Sequence, residues 1–164
     1  MKPPTPSNKP QNRDFIRVGR SRIEGTGVFA KRKIPNGTRI VEYLGRRIPV
    51  GTLLAERTDG KPTRTYSFGV NKTTIIDATV GGNEARFINH SCEPNCEAYV
   101  FDDRVYIYAM RGILRGEELT FDYKLGPALK GAGKKYDKTH FACHCGSPNC
   151  RGTMLAEKSK RKNT

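Results

Sequence analysis

Apolar residues in this chain come in short runs broken by Gly, Pro, Asn and Asp, and that punctuation excludes long helices. The segments 15–18, 39–44, 65–70 and 74–77 are rich in β-branched and aromatic residues with turn formers at their ends, the pattern of strands. Residues 98–101 and 104–110 flank Asp102-Asp103 and read as a hairpin. A last run, 118–121, follows the turn-like Arg115-Gly116. Helical signals are confined to 50–57 and 82–88, each worth one or two turns. The expected class is mostly β, with small sheets and few short helices. No period of the kind that marks a solenoid or propeller is present.

At 164 residues, one domain with a true core is expected. No apolar stretch is long enough to span a bilayer, so no membrane partner is expected. The polar, Pro-rich start, 1–14, lacks the apolar segment of a secretory signal. Thirty Lys and Arg against 16 Asp and Glu give a net charge of +14, which favours acidic polymers or acidic protein faces as neighbours. Residues 1–14 and 157–164 read as disordered tails. The stretch 124–138, with five Lys, three Gly and one Pro, reads as a basic flexible connector. Five cysteines in a chain expected to stay in a reducing compartment point to metal binding or free thiols.

Four islands carry chemistry. The first, Gly25-Thr26-Gly27, lets backbone approach a ligand, although alone it reads as a turn. The second, Asn89-His90-Ser91-Cys92-Glu93-Pro94-Asn95-Cys96, packs amide, imidazole, hydroxyl and thiols into a few residues. The third ends in Phe121-Asp122-Tyr123, whose alternating aromatics read from spacing as core. The fourth holds Cys143, Cys145 and Cys150 as C-x-C-x4-C, a thiolate set suited to zinc. Zinc wants a fourth ligand, and Cys92, Cys96, His140 and His144 are the candidates.

Together, and in this order, the islands resemble the SET-domain protein-lysine methyltransferases with a post-SET zinc segment, over roughly residues 15–155. The likeness is strongest to the SET segments of histone H3 methyltransferases. It implies a β-clip-like SET fold with a C-terminal pseudoknot, laid out as a tail (1–14), SET domain (15–123), connector (124–142), post-SET zinc segment (143–156) and basic tail (157–164). S-adenosylmethionine is the implied cofactor, with Gly25, Thr26, Gly27, Tyr66, Arg86, Asn89 and His90 around it. Tyr123 matches the catalytic tyrosine, and Tyr43, Phe68 and Phe121 the walls of the lysine channel. The match of Cys92 makes Cys92, Cys143, Cys145 and Cys150 the implied zinc ligands.

Phe at 121, where the family carries Phe or Tyr, implies di- or trimethylation. Histone tails or similar basic proteins are the implied substrates, with DNA or nucleosome contact through the basic tails. The competing readings are an inactive SET-like zinc module that binds nucleic acid or nucleosomes, and a methyltransferase for a ribosomal or histone-like protein. Stand-alone forms also occur in bacteria. The implied location is therefore cytoplasmic for a bacterial chain and nuclear for a eukaryotic or host-delivered one.

Overall fold

The computed structural model describes residues 13–55, 66–125 and 141–156. Residues 1–12 of the expected tail 1–14, the expected tail 157–164 and most of the expected connector lie outside these residues, while Arg13 and Asp14 begin a short 3-10 turn, Arg13–Phe15. The strands are β1 (Ile16–Arg20), β2 (Thr26–Ala30), β3 (Arg39–Glu42), β4 (Arg46–Pro49), β5 (Ser67–Gly69), β6 (Thr74–Asp77), β7 (Asn89–His90), β8 (Cys96–Phe101), β9 (Arg104–Ala109) and β10 (Glu118–Phe121). One helix, α1 (Val50–Ala55), and a 3-10 turn at Glu84–Phe87 occupy the two segments expected to be helical. Among the described residues, no helix is long and apolar enough to cross a membrane.

Seven strands form one sheet in the order β1-β2-β10-β8-β9-β3, with β7 added on β10, and β4-β6-β5 form a second, smaller sheet. Asp102 and Asp103 both take positive φ, 49° and 55°. Two such residues match the right-handed twist of a two-residue hairpin, and Asp tolerates that conformation better than most. Val28, Ile34, Ile40, Ile107, Ile113 and Leu119 are fully buried at the centre, each worth about 1.5–3 kcal/mol of burial.

The large sheet contains a small internal duplication. Ala30 N–H donates to Glu117 O (3.0 Å) and Ala109 N–H to Thr38 O (3.0 Å). Gly116 N–H donates to Ala30 O and Gly37 N–H to Ala109 O, both at 2.8 Å. Ile34 and Ile113 exchange both of their bonds at 2.9 Å. The partners correspond at one constant offset between Ala30-Lys31-Arg32-Lys33-Ile34 and Ala109-Met110-Arg111-Gly112-Ile113. The turn glycines Gly37 and Gly116 share the left-handed conformation, φ 74° and 83°.

The duplication fixes where β10 enters. β10 runs antiparallel to β2 and parallel to β7 and β8, with Phe121 opposite both His90 and Cys96. Where this ladder is incomplete, the buried Asn95 side chain completes it. It donates to Glu118 O (2.8 Å) and accepts from Thr120 N–H (2.9 Å). The second and fourth islands, far apart in sequence, thereby meet at the C-terminal end of β10.

Candidate active site

The glycine turn is held in place from below. The Glu118 carboxylate accepts from Ser21 Oγ at 2.7 Å and from Asn89 Nδ2 at 2.9 Å. Asn89 Nδ2 also donates to Thr26 O at 3.0 Å, so the amide ties β7 to the turn. A Cβ on Gly27 would meet Glu118 Oε1 at 2.3 Å and Ser21 Cβ at 2.9 Å, which is why glycine is required here. Gly25 has φ 43°. The Gly25–Gly27 segment is thus both a turn and the start of β2.

An aromatic row leads away from this turn. Tyr43 packs on Phe68 (ring centroids 5.4 Å apart), Phe68 on Phe121 (6.0 Å), Phe121 on Tyr123 (4.9 Å) and Tyr123 edge-on to His90 (5.3 Å). The Tyr123 hydroxyl donates to Ile88 O at 2.8 Å. Burial, reinforced by neighbouring ionisable groups, pushes both Tyr43 and Tyr123 well above the ordinary tyrosine value. Both are neutral phenols at physiological pH. Beside the row, the Arg86 guanidinium lies over Tyr66 and Phe87 and donates to Ala78 O, while its buried Nε has no partner among the described residues. A cavity of about 350 Å³ opens between Phe68, Pro94, Ala98, Met110, Tyr123 and Lys124.

The His90 ring faces Tyr123 and the thiols. Its Nδ1 accepts the Tyr123 N–H at 3.1 Å, so the proton of the neutral ring sits on Nε2, 3.4 Å from Cys92 Sγ. Burial holds the His90 pKa below its usual value, against the opposing pull of Asp122.

The Sγ atoms of Cys92, Cys143, Cys145 and Cys150 all lie within 4.8 Å of one another. Cys92 Sγ is 3.7 Å from Cys143 Sγ and 4.0 Å from Cys150 Sγ. Thiolates about 2.3 Å from a tetrahedral zinc sit about 3.8 Å apart, so this donor set fits zinc. Backbone N–H groups of Cys145, Arg151 and Gly152 point at three of the sulfurs, each at 3.4 Å, as suits thiolate charge. Cys96 is fully buried elsewhere, its thiol pushed up to about 12 by burial. His144 stays outside the cluster.

Three charged residues of this region escaped the sequence reading. Besides Glu118, they are Asp122 and Arg151, which make a two-pronged ion pair at 2.8 and 2.9 Å.

A family model described as "SET domain" matches residues 25–124. The chain belongs to the SET domain family. This SET domain is 40% identical over 151 residues, 87% of the chain, to "Histone-lysine N-methyltransferase 2B" of Homo sapiens. It is 38% identical over 89% of the chain to "Histone-lysine N-methyltransferase trr" of Drosophila melanogaster. With "Histone-lysine N-methyltransferase, H3 lysine-4 specific" of Saccharomyces cerevisiae it shares 40% over 85% of the chain. The matched part is 5%, 6% and 13% of these relatives' own lengths. The mostly-β SET fold expected from the sequence is the fold observed.

Proposed function

We propose that this SET domain is an S-adenosylmethionine-dependent protein-lysine methyltransferase acting on histone H3, with the lysine-4 position as its target. The observation that carries the reading is the row Tyr43–Phe68–Phe121–Tyr123 ending at a hydroxyl fixed on Ile88 O, beside the turn pinned by Asn89. The relatives' names supply the substrate.

S-adenosylmethionine, when bound, supplies an electrophilic methyl group. The Gly25–Gly27 backbone, the Asn89 amide, the His90 backbone, Tyr66 and Arg86 hold it. Both Asn89 amide hydrogens already have protein acceptors in Thr26 O and Glu118 Oε1, so its Oδ1 is the atom turned to the ligand. The orphaned Arg86 Nε offers a further buried donor.

Tyr43, Phe68, Phe121 and Tyr123 surround the target lysine. Their apolar walls disfavour the ammonium form and lower the lysine pKa. The lysine sheds its proton to solvent as it enters, and no side-chain base is needed. Tyr123 is no base either, since its pKa is raised and its proton is committed to Ile88 O. Its oxygen lone pairs orient the hydrogens of an amine that still carries them, whereas a dimethylated amine, with no N–H, is aligned by the channel walls. Phe121, lacking a hydroxyl, leaves room for an amine that already carries methyl groups, so the product extends to di- and trimethyl-lysine.

Cys92, Cys143, Cys145 and Cys150 hold one structural zinc that fastens the C-terminal segment over the site. Such an enzyme works at chromatin, and we place this one there. The test is incubation with labelled S-adenosylmethionine and nucleosomes. Labelled H3 supports the reading, and unlabelled H3 with cofactor and zinc both bound defeats it.

A further inference from the structure

We propose that Arg151 and Asp122 form a clamp that positions Tyr123, so that the cysteine segment 143–150 acts on the lysine channel through one ion pair. This rests on Tyr123 being the catalytic tyrosine. Asp122 lies between two channel residues, Phe121 and Tyr123, just past the end of β10. Its carboxylate meets both terminal nitrogens of Arg151, at 2.8 and 2.9 Å.

The pair is largely shielded from solvent, with side-chain exposures of 20% for Arg151 and 14% for Asp122. Two-pronged guanidinium–carboxylate contacts fix direction as well as distance. A single point charge in place of the guanidinium would fix distance but not direction.

Both members are anchored. Arg151 follows Cys150 directly, and its N–H points at Cys92 Sγ at 3.4 Å, so its backbone is fixed by the thiol cluster. Asp122 Oδ1 also accepts the N–H of Lys124 at 3.1 Å. Lys124 sits at φ 44°, an uncommon conformation for a residue with a side chain, and this bond holds the turn that follows Tyr123. The Tyr123 N–H is meanwhile bound to His90 Nδ1, and that ring lies 3.6 Å from Asp122 Oδ1. The Tyr123 backbone is thus held by His90 at its own N–H and by Asp122 at the N–H of the next residue, Lys124. Arg151 touches Asp122 rather than the channel and is a positioning residue.

The experiment compares Arg151→Gln, Asp122→Asn and the double variant in the full chain. It reads zinc content, hydrogen exchange at the Tyr123 amide, and kcat and KM for an H3 peptide. Each single variant is expected to keep one zinc, to speed Tyr123 amide exchange about tenfold, and to lower kcat about 10–100-fold with KM changed less than about threefold. The double variant is expected to be no worse than the poorer single, as for residues acting as a unit.

Multiplicative losses in the double variant would overturn the clamp. So would unchanged exchange at Tyr123, or loss of zinc from Arg151→Gln with Asp122→Asn intact. The exchange result stands whether or not the chain methylates H3, so failure of the clamp and failure of the proposed activity are separable.

Discussion

Replacing Tyr123 by Phe removes one oxygen and leaves the ring contacts with Phe121 and His90 in place. That oxygen donates to Ile88 O at 2.8 Å, and Ile88 is 1% exposed. Its carbonyl then loses a donor in a site with little water to replace it. An unsatisfied buried acceptor costs about 1–3 kcal/mol, which at this chain length corresponds to a Tm lower by about 2–12 °C. The larger effect is on rate. The amine loses the oxygen that orients it, and misplacement of about 1 Å costs about 100-fold in rate. Single-turnover transfer to an H3 peptide, beside thermal unfolding and cofactor titration, separates the two. We expect kcat to fall at least about 100-fold with cofactor affinity within about threefold of the parent. Transfer at the parental rate in a protein of lowered Tm would refute the role of the hydroxyl and leave Tyr123 a structural residue.

Three further outcomes follow from the same geometry. Phe121→Tyr adds a hydroxyl beside Tyr123 and Phe68, and crowding of that size is worth about 10–200-fold; mass spectra should shift from trimethyl- towards monomethyl-lysine. Gly27→Ala drives a Cβ to 2.3 Å from Glu118 Oε1 and should weaken cofactor binding at least about tenfold, read by calorimetry, while Gly51→Ala, where a Cβ meets nothing within 4 Å, should not. For zinc, burial raises the Cys143 thiol, whereas at Cys145 hydrogen bonds led by the Cys92 N–H outweigh burial and hold the thiol at about 5. Without metal at neutral pH the raised thiols of the cluster, Cys143 and Cys92 among them, keep protons, and zinc binding must expel them. Affinity should rise with pH and zinc should leave on acidification, followed with a chromogenic chelator, and activity should fall with zinc content.

Legibility in the sequence followed local chemistry. β6 (Thr74–Asp77) and β10 (Glu118–Phe121) coincide with the expected runs, because β-branched and aromatic residues bounded by turn formers have few alternatives. β4 (Arg46–Pro49) carried no such signal, with two arginines and a proline in four residues. It is a strand because it pairs with β6 and because Arg46 meets Asp77 at 2.9 Å, a tertiary cause. The two residues of β7 are too few to show a period, and they become a strand only by pairing with β10.

In the site, side chains with distinctive chemistry were visible, while Glu118, Asp122 and Arg151 were not. Charged residues in polar surroundings look like solvent-facing ones until the fold brings their partners close. A local signal for one of them was Gly27, whose missing Cβ makes room for Glu118. The duplication linking 30–38 to 109–117 was also present in the sequence, as two Ala…Ile…Gly turns, but a single copy pair has no period to reveal it.

On the proposed reading, the pinned turn, the aromatic row and Tyr123 together methylate lysine on histone H3. Mass spectrometry of an H3 tail peptide after incubation with this chain and S-adenosylmethionine tests it most directly. Methyl groups on lysine 4, progressing beyond one and absent with Tyr123→Phe, are the expected result. An unmodified peptide, from protein shown to hold both cofactor and zinc, would contradict it.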